Sequence, residues 1–268
     1  MPRLARLCLV AAACATSAPV LPQIAAPEPV AHGAAIAPDE MARCLELIRA
    51  KQYEAARCRL QPIVLAHPGW ARAHLLLALT YHEEQRYELA RPLFARALEL
   101  DPQERSVLPF YGWCLYYLGE AEASRRQFTA FLESDPDYAD AHFALGLIDY
   151  DHDDLKGAAQ RFGTTIRLAA TAGDARTEGK ARARLADVFI RRGELAPARA
   201  ELERAVLLRP DAYEAFFKLS RVLERLGDHE AAARALAAHE EVRERVRPGP
   251  RPPVRAEDAA VEQDPPTP

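Results

Sequence analysis

Three carboxylates alternate along Asp149-Tyr150-Asp151-His152-Asp153, the spacing with which a calcium loop presents its first ligands. The glycine such a loop needs next is Asp154 here, and the bidentate glutamate further on is Gln160. The run also crosses the end of a helical stretch, so it is read as an acidic, solvated turn. The histidines His74 and His142 occupy equivalent slots of an internal repeat, and the others scatter. No HExxH, GxSxG or P-loop pattern occurs, and nothing pairs a nucleophile with a base at a workable spacing. The basic run Lys180, Arg182, Arg184, Arg191 and Arg192 alternates with alanines around a helix and reads as a solvated face. Arg247, Pro250 and Pro253 fit the spacing of an SH3 ligand, but the surrounding segment reads as a plain proline-rich tail. No catalytic residue, metal site or cofactor is assigned, and the chain is expected not to be an enzyme.

Cysteine chemistry narrows in the same way. Cys8 and Cys14 fall in an N-terminal leader, leaving Cys44, Cys58 and Cys114 with no CxxC and no CxxCH. This argues against a disulfide framework, a zinc ribbon or an attached c-type haem. Helical phase turns Cys44 inward and Cys58 outward, so these two are expected as free thiols rather than a bridge.

The elements that would position any site come from a repeat. Leu77-Ala78, Tyr81, Gln85, Ala90, Phe94, Ala97 and Asp101-Pro102 recur 34 residues on as Tyr111-Gly112, Leu115, Gly119, Ser124, Phe128, Phe131 and Asp135-Pro136. The series extends back to Leu47 and Ala56 and forward through Leu145-Gly146, Leu185-Ala186 and Leu219-Ser220, giving six copies. Each copy holds two stretches with apolar residues at helical spacing. A breaker separates them: Gly119, Gly193 or Gly227, with Gln85 and Asp153 where glycine is absent. The small residues let the two helices of a copy approach, while Phe94, Phe128, Phe162, Leu202 and Leu236 fill the gap to the next copy. The fourth copy lacks its closing proline and carries extra residues at 173–178, predicting a longer second helix or a looser joint. Pro92, Pro109 and Pro197 are placed near helix starts, where the missing donor is tolerated.

A large-small pair, an aromatic, an alanine, a large apolar residue and a closing proline at this period resemble the tetratricopeptide repeat, over roughly three quarters of the chain. The resemblance implies an all-α fold, a right-handed superhelical solenoid of helix-turn-helix hairpins, and binding of another protein or peptide on the concave face of the first helices. Counting phase from the core slots, the residues turned to that face are Leu75, Leu79, His82, Trp113, Tyr116, Tyr117, Phe143, Leu147, Tyr150, Phe217 and Arg221. Trp113 stands out, because Gly112 and Leu115 take the core slots beside it. Aromatic rings bury much area at little entropic cost and serve as interface anchors. Many proteins of this family grip a terminal carboxylate with groove lysines and asparagines. This chain has no asparagine and its groove is expected to be apolar, which argues against that mode.

Domain organisation follows from composition. The chain has 268 residues, 49% hydrophobic and 28% charged, with a formal net charge of -4, so no basic face calls for nucleic acid. Only four lysines stand against 31 arginines, a bias that points to a GC-rich bacterial genome. Residues 1–15 read as an export signal: Arg3 and Arg6, then the apolar run Leu7 to Ala13, too short to span a bilayer. Val10-Ala11-Ala12-Ala13-Cys14 resembles a lipobox, which would lipidate Cys14 and anchor the chain to a membrane; Ala13-Cys14-Ala15 resembles an ordinary cleavage site; a non-exported chain is the third possibility. The expected location is therefore the periplasm or the outer-membrane surface. Residues 16–36 form a Pro/Ala-rich linker, 37–247 the six repeats with a C-terminal cap helix, and 248–268 a disordered Pro-rich tail. A lipobox-like leader followed by about six such repeats also resembles the pilotin lipoproteins that help build type IV pili.

Overall fold

The structure is a computed structural model and describes residues 38–247. The leader, the linker and the tail lie outside the described residues. Among the described residues there are twelve α-helices and no strand. They pair as six hairpins: α1 (Pro38–Arg49) with α2 (Tyr53–Ala66), α3 (Ala71–Glu83) with α4 (Tyr87–Leu100), and α5 (Val107–Tyr117) with α6 (Ala121–Leu132). Then follow α7 (Ala139–Asp151) with α8 (Leu155–Ala172), α9 (Ala175–Arg192) with α10 (Leu195–Leu208), and α11 (Tyr213–Arg225) with α12 (His229–Val246).

Each hairpin turns on one left-handed residue. Gly119, Gly193 and Gly227 have φ of 77°, 78° and 81°, and Lys51, Gln85 and Asp153 hold the same place at 59°, 60° and 64°. Glycine takes this conformation without steric cost, whereas a residue with a Cβ does not. Where aspartate follows the turn it caps the second helix: Asp154 accepts from Gly157 N and Asp228 from Ala231 N.

The core repeats with the turns. Phe94, Phe128, Phe162 and Leu202 are fully buried between copies. Gly112 and Gly146 are demanded by these rings: a Cβ at Gly112 would fall 2.8 Å from the Phe128 ring, and one at Gly146 2.7 Å from Phe162. Ser124 adds a donor to the same contact, its Oγ bonding Gly112 O at 2.8 Å. Leu236 is 41% exposed, with no further copy among the described residues to cover it. A second periodic device joins copies on the outside. The fifth residue of α2, α4, α6 and α10 is arginine, and Arg57, Arg91, Arg125 and Arg199 reach Glu84, Glu120, Asp149 and Asp228. The equivalent histidines serve the connections instead: His74 Nε2 lies 3.1 Å from Pro68 O and His142 Nε2 2.9 Å from Pro136 O.

At the fourth copy the extra residues lengthen α8 and α9 to 18 residues each, and only Gly173 and Asp174 connect them. Of the two outcomes expected there, the structure takes the longer helix. Pro92 is the sixth residue of α4 rather than a first-turn residue, and Pro62 stands inside α2, both on exposed faces. Cys44 and Cys114 are buried and Cys58 is exposed, all as free thiols.

Candidate binding groove

The first helices of the middle copies line a concave cavity of about 740 Å³. Its floor at one end is aromatic. Tyr117, 55% exposed, stacks on Tyr87 with centroids 4.7 Å apart and planes 15° apart, and Trp113 lies 5.8 Å beyond it at 25°. Tyr116 and Phe143 complete the wall. Trp113 is half-buried and does more than face the groove. Its ring meets Phe128 edge-on at 5.5 Å, and its N–H donates to Asp140 Oδ2 at 2.6 Å. The expectation that Trp113 stands clear of the packing faces is thus corrected: it is also a strut between the third and fourth copies, because the indole is long enough to span the joint.

Burial shifts the ionisable groups of this wall. The Tyr116 phenol is pushed up to about 12, first by burial and then by its hydrogen bond to Asp151, 2.9 Å away. Burial also raises the Asp140 carboxyl, an effect opposed by the Trp113 N–H. His82 is lowered by burial, and Glu83 opposes this only weakly. Its ring meets Tyr87, Phe94 and Phe110 edge-on, and both ring nitrogens are buried without a hydrogen-bond partner.

The other end is polar. Lys180 and Arg184 on α9, and Lys218 on α11, face the cavity with Asp140 and Glu214. The groove is therefore not the apolar one expected, though the chain's lack of asparagine stands. The α9 basic run is likewise not one solvated face. Lys180 and Arg184 turn to the cavity, whereas Arg182 turns away to Glu178 and Glu201, each at 2.8 Å. Arg191 lies over the Tyr150 ring at 4.8 Å.

His82, Trp113, Tyr116, Tyr117 and Phe143 all line the cavity, as does Leu147, although at 8% exposure it belongs to the core. Leu75, 4% exposed, is core, and Leu79 packs against its cluster. Tyr150 is covered by Arg191, and the Phe217 ring packs at a tilt of 50° against His239 of α12, 5.3 Å away. Phe217 occupies the slot of Phe143, but among the described residues no first helix follows α12 to make a wall with it. Arg221 is exposed on α11 and outside the cavity lining. The missed lining residues have a partial signal: Asp140, Lys180 and Glu214 share one repeat phase, five residues before the core leucines Leu145, Leu185 and Leu219. Tyr87 had less, being the first residue of a second helix.

The aspartates of the 149–153 run disperse. Asp149 is buried against Arg125 at 2.6 Å, Asp151 accepts from Tyr116, and Asp153 holds the left-handed turn.

A stack of helical hairpins with one lined concave face defines a repeat solenoid. The chain matches the tetratricopeptide repeat family over residues 42–105, 112–175 and 183–244, and belongs to it. A comparison with curated protein sequences returned no match. Among solved structures, the chain is similar to Pseudomonas aeruginosa pilF, with TM-score 0.64 and 21% identity over 79% of this chain and 92% of that one. It is also similar to YrrB, described as a TPR protein with an unusual peptide-binding site (TM-score 0.56, 16% identity, 67% of this chain and 90% of that one). A third is MamA (TM-score 0.55, 18% identity, 63% and 95%). At these identities the likeness is one of fold.

Proposed function

We propose that this protein is a non-catalytic adaptor of the cell envelope that holds an extended segment of a partner protein in its concave groove. The observation that carries the proposal is the ring stack of Tyr87, Tyr117 and Trp113, open to a cavity that runs across several copies. Rigid rings over a preformed concavity are what a binding anchor requires, since little side-chain freedom is lost on contact. The peptide-binding description of YrrB, a structure of the same fold, supports the reading. Envelope placement is supported by the leader-like residues 1–15. The second reading, an outer-membrane lipoprotein assembly factor of the pilotin kind, is favoured by the lipobox-like run ending at Cys14. Radiolabelled palmitate incorporated by the wild type and lost in Cys14→Ala selects that version; no incorporation removes it.

A photo-crosslinking side chain placed at position 117 tests the groove itself, with position 207 on the exposed side of α10 as control. Adducts with one partner at 117 and none at 207 support the proposal. Adducts at 207 alone would move the binding face out of the groove.

A further inference from the structure

Among the described residues, His82 stands apart from the other histidines of the helix joints. His74, His142, His152 and His239 each set a ring nitrogen between 2.8 and 3.1 Å from a backbone carbonyl oxygen. The His82 side chain is 14% exposed, and neither of its buried nitrogens has a partner. An imidazole carries hydrogen-bonding capacity at both nitrogens, and leaving it unmet in the interior costs free energy.

What surrounds this side chain is aromatic. Tyr87, Phe94 and Phe110 meet it edge-on, with centroids 5.4, 6.0 and 6.2 Å away. The same Tyr87 ring stacks on Tyr117 at 4.7 Å. His82 is therefore the hidden end of the row Tyr87, Tyr117 and Trp113 that faces the cavity.

Charge is sparse around it. On α3 the Glu83 carboxylate comes no closer than 3.9 Å to Nδ1, and it accepts from the Tyr53 hydroxyl of α2 at 3.4 Å. The titratable groups of α4 and α5 on this side are Tyr87, Cys114 and Tyr117. Burial raises all three, so they stay neutral through mild acid. Burial acts on His82 with the opposite sign, which keeps its ring neutral at pH 7. A neutral ring suits an apolar cage. Once protonated, both nitrogens are donors with no acceptor inside it, and burying an unpaired charge is far costlier than exposing it. The way out leads toward Glu83, whose side chain is 44% exposed.

We propose that His82 is an acid-sensitive prop for the aromatic anchor: protonation drives its ring out of the cage, and the Tyr87–Tyr117 stack loses its backing and loosens. A weaker hold on a partner in mild acid rests on the groove reading above; the loosening itself does not.

The test follows the full chain without any partner, by NMR with ring-labelled histidine and tyrosine, from about pH 8 to about pH 5. His82→Phe and Tyr117→Phe assign the two signals. In the wild type they should move together, with one midpoint below the ordinary histidine value of about 6.5. The Tyr117 signal should shift toward that of an unstacked tyrosine, while helix content by circular dichroism stays flat. In His82→Phe and His82→Leu, Tyr117 should not respond to pH. Burial raises the Asp140 carboxyl too, but Asp140 touches Trp113 rather than Tyr87, so Asp140→Asn should keep the coupled shift. The inference is overturned if His82 titrates while Tyr117 stays still, or if helix is lost at the same midpoint. It is equally overturned if the Tyr117 shift persists in both His82 variants or disappears in Asp140→Asn. With no partner present, this result and the crosslinking at position 117 can each fail alone.

Discussion

Trp113 donates its indole N–H to Asp140 Oδ2 at 2.6 Å, tying the third copy to the fourth at the centre of the groove. One residue therefore serves both packing and presentation, and the two can be separated by substitution. Trp113→Ala should cost about 2 kcal/mol of stability, less than a fully buried tryptophan because the ring is half-exposed. Phe128→Ala, fully buried, should cost about 3–5 kcal/mol. Chemical denaturation of both variants measures this. Equal stability of Trp113→Ala and wild type would show that the strut carries no load.

The hairpin turns give a paired prediction. A Cβ at Gly119 meets nothing within 4 Å, so its φ of +77° alone decides the outcome. Gly119→Ala should destabilise by about 1 kcal/mol. Gln85→Gly, at the same slot with φ of 60°, should stabilise by up to about 1 kcal/mol as the strain is released. Melting curves of the two variants should move in opposite directions.

Close packing makes a third case. Gly112→Ala places a methyl carbon 2.8 Å from the Phe128 ring, and overpacking of this kind costs about 1–3 kcal/mol. The double variant Gly112→Ala with Phe128→Leu should recover part of that loss, a coupling that a double-mutant cycle reads directly.

His82 predicts a pH dependence. Burial lowers its folded pKa, so the unfolded chain binds the proton first as pH falls. The contribution is fully present above the unfolded value near 6.5 and is lost as pH drops toward the folded one. Between about pH 7.5 and pH 5.5 the wild type should lose more thermal stability than His82→Phe. An identical loss in both would assign the dependence to other groups.

How much of this the sequence carried depends on which neighbour each residue needed. The repeat phase placed Leu77-Ala78, Phe94 and the left-handed turns, because core slots and turns are set within one copy. The same phase brought Trp113, Tyr116, Tyr117 and Phe143 to the cavity. It failed for Phe217, whose slot needs a following copy that is absent among the described residues, and for Tyr150, covered by Arg191 from the next copy. Lys180, Arg184 and Lys218 were read only as charges, although Lys180 keeps the repeat phase of Asp140 and Glu214, and Arg184 that of Lys218, on the cavity side. The leader and Cys14 lie outside the described residues.

The central claim is that Tyr117 presents a binding surface rather than a packing surface. Its most direct test is quantitative capture of the partner identified by crosslinking at position 117, using wild type, Tyr117→Ala and Leu207→Ala, each with its own melting curve. Tyr117→Ala should fold with a loss of about 1 kcal/mol or less, the worth of its stack on Tyr87, and bind the partner roughly 30-fold more weakly, as loss of an anchor of 2 kcal/mol or more implies. Leu207→Ala should match wild type in both. Unchanged capture by a folded Tyr117→Ala, or an equal loss in Leu207→Ala, would contradict the account.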